Sequence, residues 1–197
     1  MLICNNSHKA TIAKGKCIVD KKKTIPDYLA ESAIELISRK DLDRVSVRDI
    51  CDNCGVSTRS FYNYFKDKND LVQWIYFKYL EDFYQKNKQD ITFTSLMTET
   101  GDILWLHKGF FQNLIKYNGQ NSFKETCFAP LFSYYRRIIE DKYGCQFTEK
   151  MSGELTFFVL GMIEYVSRSF LSGNPQPVPE AIQVFSNSIP EELKKFL

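Results

Sequence analysis

Gly55-Val56-Ser57-Thr58-Arg59-Ser60-Phe61-Tyr62-Asn63-Tyr64-Phe65-Lys66-Asp67-Lys68-Asn69-Asp70-Leu71 carries one helix stop and two helix starts in a single short span. Gly55 ends a helix, because glycine enters the left-handed conformation that a tight exit needs. Ser57 caps the next helix, and Asp67 with Asp70 marks the start of another. Between those signals Phe61 and Phe65 stand at i, i+4 on one side of a short helix and anchor it to its neighbours. Thr58, Arg59, Tyr62 and Asn63 are left on the outward side. A face with hydrogen-bond donors and one guanidinium suits the major groove, where base edges carry a distinct donor and acceptor code. Lys68, in the first turn of the following helix, sets a cation beside free backbone N–H groups and is expected to clamp a phosphate.

Upstream, Ser46-Val47-Arg48-Asp49 has the form of a capping box with Asp in place of Glu. Val47, Ile50, Cys51 and Cys54 follow it as a buried stripe at helical spacing. An earlier helix is expected from Thr24, a capping residue, with Pro26 at an early position where a missing N–H costs nothing. Ala30, Ala33, Ile34 and Ile37 form its buried face, and it should end near Lys40. Downstream, Leu71, Trp74, Ile75 and Tyr79 carry a helix towards Lys88. Two helices joined by Gly55-Val56-Ser57, with one helix before and one after, make a helix-turn-helix.

The segment from Tyr28 to about Trp74 resembles the DNA-binding domain of the TetR/AcrR family of transcriptional regulators. The resemblance lies in Val47-Arg48-Asp49-Ile50, Gly55-Val56-Ser57, Phe61-Tyr62, Tyr64-Phe65, and Lys68 with Leu71. It covers roughly a quarter of the chain and is specific as a combination. It implies an all-α protein with an N-terminal three-helix helix-turn-helix domain and a C-terminal helical domain for ligand binding and dimerisation. It also implies that Thr58 and Arg59 touch bases, and that Ser46, Arg48, Ser57, Ser60, Tyr62, Tyr64 and Lys68 touch phosphates. Two positions depart from the common pattern. Tyr64 stands where many members carry His, and its hydroxyl can still donate to a phosphate. Arg59 stands where many carry a small residue, and its guanidinium favours guanine. Phe65 to Leu71 with Trp74-Ile75, and Phe157 to Gly161, are further similar to TetR-type regulators of the dihydroxyacetone kinase kind.

Charge is unevenly spread. Residues 1–23 hold six lysines against Asp20 alone, a basic arm that could approach DNA or simply be a solvated tail. Residues 24–70 hold seven basic and nine acidic residues, so DNA binding there must depend on local placement. The six cysteines come without an apolar signal segment, which points to free thiols in a reducing cytoplasm. Cys51-x-x-Cys54 lacks the second ligand pair that zinc would need, and both residues belong to the buried stripe. His8 and His107 are the only histidines and fit no catalytic triad. No enzyme, cofactor, metal or membrane span is expected.

From Thr92 the chain is rich in aromatic residues and still helical in period. Two helices are expected between Thr94 and Tyr117, broken near Gly101, and another from Ser122 to Tyr143 that Pro130 could kink or interrupt. Thr148–Ser172 is apolar on two faces, one through Leu155, Phe158, Val159, Met162 and Phe170, the other through Phe157, Leu160 and Gly161. Two apolar faces suggest packing inward and also against a second copy, with the helix from Val178 to Ser188 contributing. Glu164 and Arg168 at i, i+4 are expected to pair. Trp105, Phe111, Tyr134, Tyr135, Phe158 and Met162 are candidate ligand contacts, although aromatic residues at helical spacing also build plain core.

The expected organisation is an arm (1–23), a helix-turn-helix domain (24–70) and an effector-binding and dimerisation domain (71–197). The expected function is that of a ligand-responsive regulator, a repressor that binds a near-palindromic double-stranded operator as a homodimer and answers to a small-molecule effector. A co-activator or adaptor acting through protein partners on the same fold is the alternative, supported by the acidic balance of residues 24–70. A thiol enzyme or redox sensor centred on Cys51 and Cys54 is a weaker third.

Overall fold

The structure, a computed structural model, describes residues 23–88, 90–119 and 122–197. The arm therefore lies, apart from Lys23, outside the described residues. Those described form nine α-helices and no strand: α1 (Ile25–Arg39), α2 (Val47–Cys54), α3 (Thr58–Tyr62), α4 (Lys68–Asn87), α5 (Phe93–Leu106), α6 (Lys108–Lys116), α7 (Phe123–Tyr143), α8 (Glu149–Leu171) and α9 (Val178–Asn187). A single 3-10 turn, Leu42–Arg44, links α1 to α2.

Most helix starts are set by side chains that satisfy free backbone N–H groups. Ser46 and Asp49 exchange hydrogen bonds at the head of α2, through Ser46 Oγ (3.1 Å) and Asp49 Oδ2 (2.8 Å). Asp67 accepts from the N–H groups of Asn69 and Asp70, and Thr92, Ser122 and Thr148 cap α5, α7 and α8 in the same way. Gly55 closes α2 at φ 70°, in the left-handed region that glycine enters without a Cβ penalty.

One continuous apolar core runs through the molecule, from Leu29, Ile50 and Phe61 to Leu155, Val159 and Phe185. Helix α1 packs against α2, α4 and α6; α7 and α6 pack against α8; α9 lies along α5. The head and body of the protein are thus joined by α4 and by the α1–α6 contact.

Two sequence expectations need correction. The break between Thr94 and Tyr117 falls at His107, between α5 and α6, and not at Gly101. Gly101 stays helical although glycine costs about 1 kcal/mol in a helix interior. A Cβ there would lie 2.6 Å from Val178 Cγ1, so its missing side chain lets α9 approach α5. Pro130 sits inside α7 without ending it. The ring removes one backbone donor, and the helix continues for three further turns because Tyr134, Tyr135, Ile138 and Ile139 are buried.

Candidate DNA-reading surface and interior cavity

Helix α3 is two-faced. Phe61 is fully buried and Phe65 nearly so, their rings 5.7 Å apart, and Phe65 meets Trp74 of α4 edge-on at 5.6 Å. Ser57 Oγ accepts from the Ser60 N–H at 3.0 Å and sets the angle at which α3 leaves the turn. On the opposite side Ser57, Thr58, Arg59, Tyr62, Asn63 and Tyr64 are all exposed, Tyr62 at 61%. Ser60 is half-buried, its hydroxyl 2.8 Å from that of Ser57. Ser46 and Arg48 are exposed at the head of α2. Arg48 lies 3.5 Å from Asp52, an exposed pair of the kind that water screens strongly. Arg59 has no ion-pair partner among the described residues, which leaves its five N–H donors available to a ligand.

Lys68 departs from the sequence expectation. Its Nζ donates to the carbonyls of Leu42 (2.6 Å) and Val45 (2.9 Å) and is half-buried. Burial holds its pKa below the ordinary lysine value. The ammonium therefore fastens the 3-10 turn to the start of α4, with two of its three donors already used. The sequence signal for this was slight. Leu42 and Val45 are apolar residues in a stretch otherwise charged, and both are buried.

In the body, two adjoining cavities of about 60 Å³ each share Met97, Thr100, Leu104, Val166 and Phe185. One extends to Tyr76, Tyr135 and Met162; the other to Trp105 and α9. Of the six expected ligand contacts, Tyr135, Met162 and Trp105 line these spaces. Phe111, Tyr134 and Phe158 do not, and the expectation is corrected for them. Phe111 is packed among Tyr76, Phe110 and Phe123. The Tyr134 hydroxyl donates to the Leu80 carbonyl at 2.8 Å, and Phe158 stacks on Phe93. Each is core because its partners lie on helices far away in sequence, which spacing within one helix cannot reveal.

Residues 29–75 match the model of the TetR family of bacterial regulatory proteins. Over 199 residues the chain is 28% identical to YvdT, an HTH-type transcriptional regulator of Bacillus subtilis strain 168, covering 89% of this chain and 97% of that protein. The solved structure of the dihydroxyacetone kinase operon activator DhaS superimposes with a TM-score of 0.65 at 16% identity, covering 87% of this chain and 97% of its own. A TetR transcriptional regulator from Rhodococcus sp. RHA1 gives 0.55 at 17% identity, covering 86% and 97%. The match to the TetR family is thus carried by residues 29–75, the head of the molecule.

The structure places the cysteine pair in the packing of α2. Burial pushes the Cys51 thiol up to about 11, and Cys54 Sγ donates to the Ile50 carbonyl at 3.2 Å. The described cysteines are all free thiols. No group of three or more metal-ligating side chains occurs among the described residues. No helix among them is long and apolar enough to cross a membrane. The body also holds a contact that spacing did not suggest. His107, at the α5–α6 break, has Nε2 3.2 Å from the Tyr79 hydroxyl, and burial lowers its pKa.

Proposed function

We propose that this TetR-family regulator binds a near-palindromic operator as a homodimer in the cytoplasm, represses from it, and is released by a small molecule held in the body. The observation that carries the proposal is the two-faced α3, with Phe61 and Phe65 closed beneath it and Thr58, Arg59, Tyr62 and Asn63 in water. In this reading Thr58 and Arg59 meet base edges, and Ser46, Arg48, Ser57, Ser60, Tyr62 and Tyr64 hold the backbone. Residues 24–70 read DNA, and residues 71–197 sense and pair, with α4 continuous between them.

A homodimer is supported by the surface of α8. Phe157 is 84% exposed and Leu160 and Leu171 about half, on one side of the helix. Gly153 and Gly161 on that side have open space where a Cβ would stand, which lets another helix come close. Val184 of α9 is exposed as well. A patch of this kind marks an interaction surface. Glu164 accepts from Arg168 at 2.6 Å and from Lys124 at 2.7 Å, so its charge is matched within the subunit. Phe157→Glu should convert the protein to a monomer by analytical ultracentrifugation and weaken operator binding. A variant that stays dimeric would remove α8 from the interface.

A shift assay on DNA upstream of the chain's own reading frame, repeated at several salt concentrations, tests the main reading. A specific, salt-dependent complex weakened in Arg59→Ala and Tyr62→Ala is expected. The second reading, a co-activator acting through a protein partner, is favoured by the acidic balance of residues 24–70. It also draws on the role of DhaS, an operon activator. It predicts no specific DNA complex from the purified chain alone.

A further inference from the structure

The paired cavities say something about what fills them. We infer that the effector is an uncharged, mostly apolar molecule of about one-ring size whose hydrogen-bond acceptor is read by the hydroxyls of Tyr76, Tyr135 and Ser167. The inference rests on the effector reading above and narrows it.

The first argument is charge. Neither cavity has a Lys, Arg, His, Asp or Glu among the described residues that line it. A carboxylate or phosphate placed there would be stripped of water with no counter-ion, which is costly enough that such a group neutralises or stays out. Lys124 neighbours two lining residues, Phe123 and Cys127, but its Nζ is bound to Glu164 at 2.7 Å, and Glu164 is held by Arg168 as well.

The second argument is the hydroxyls. Buried polar groups are normally paired. Thr100 obeys this rule by donating to the Leu96 carbonyl at 2.8 Å. The Tyr135 hydroxyl has only the thioether of Met97, a weak acceptor, at 3.6 Å. The hydroxyls of Tyr76 and Ser167 have no hydrogen-bond partner among the described residues, although Ser167 is only 1% exposed. Three helices, α4, α7 and α8, thus each bring an under-used hydroxyl-bearing side chain to the lining of one apolar space. Burial holds both phenols above the ordinary tyrosine pKa, so they remain donors.

The third argument is size. An apolar cavity of about 150 Å³ admits benzene. These adjoining spaces are smaller, but Met97 and Met162 line them, and methionine side chains repack readily.

The test titrates the full-length protein with acetophenone, ethylbenzene and benzoate at neutral pH, followed by calorimetry and by the shift in melting temperature. The three match in shape and differ in acceptor and charge. Acetophenone should bind about three- to tenfold more tightly than ethylbenzene, the worth of one net hydrogen bond. Benzoate should bind at least about a hundredfold more weakly. Tyr76→Phe, Tyr135→Phe and Ser167→Ala each remove a single oxygen and should fold, which circular dichroism checks. At least one of them should bring acetophenone down to the ethylbenzene level while leaving ethylbenzene unchanged. Benzoate binding as well as acetophenone, or the two neutral probes binding equally, overturns the inference and leaves the effector reading standing. Failure of all three probes to bind overturns the inference as well.

Discussion

Around α3 the polar side chains stand in water and two phenylalanines close beneath them; around the cavity of the body apolar side chains turn to an interior space and a few hydroxyls point inward. The first region does its work with groups whose removal leaves the fold intact. The second does it with groups that are also the packing of α4, α5, α7, α8 and α9. Binding and stability should therefore come apart at α3 and stay entangled in the body.

The sharpest way to break this contrast is to cross the inner and outer faces of α3. Phe61→Ala should cost about 3–5 kcal/mol in urea unfolding, since the ring is fully buried. Tyr62→Ala, one residue along, should stay within about 0.5 kcal/mol of the parent while weakening DNA binding. Equal costs would mean that α3 has no free face.

Lys68 tests the border between the regions. Lys68→Met removes two charge-assisted bonds to the carbonyls of Leu42 and Val45 and should lower stability by about 1.5–3 kcal/mol. The salt dependence of DNA binding should hardly change, because an ammonium already engaged with carbonyls releases few counterions. A slope reduced by about one would restore Lys68 to the phosphate contacts.

Arg59→Ala should leave unfolding unchanged and erase about 1–3 kcal/mol of preference for a G·C pair at one operator position, measured by comparing operator variants. In the body, Gly101→Ala should destabilise by roughly 1 kcal/mol, against the usual gain from alanine in a helix, because the new methyl meets Val178. Val178→Ala in the same chain should recover part of the loss. The smallest effect should be shared by both regions. Cys51 in the head and Cys127 in the body, with thiols raised by burial to about 11 and about 12, should react negligibly with iodoacetamide at pH 7 in the folded protein.

The same contrast explains what could be read in advance. The exposed face of α3 follows from Phe61 and Phe65 four residues apart, Ser57 before them and Gly55 before that, all within a stretch of eleven residues. Its capping signals are local, and local signals survive in sequence. The cavity joins Tyr76, Tyr135 and Ser167 from three helices, so its lining depends on how helices cross. Periodicity marks such residues only as apolar. Tyr134 and Tyr135 illustrate the limit. Adjacent and chemically alike, they are separated by orientation alone, one donating to the Leu80 carbonyl and the other facing the cavity. The helix break expected near Gly101 was misplaced for a related reason. Glycine is the ordinary helix breaker, but Gly101 serves close packing, and the chain turns where His107 leaves helical geometry at φ −108° and ψ 35°.

The side-chain amide of Asn113 has one further implication. Its nitrogen, on α6, donates to the carbonyls of Ile37 (2.7 Å) and Lys40 (3.3 Å) at the tail of α1, while Gly109 brings the α6 backbone close to the Ser38 carbonyl. These carbonyls are ones a helix end leaves unmet, so detaching α6 would strand them as well as open the packing. The tail of α1 is thereby riveted to α6. Any displacement of α6 would therefore carry the end of α1 with it.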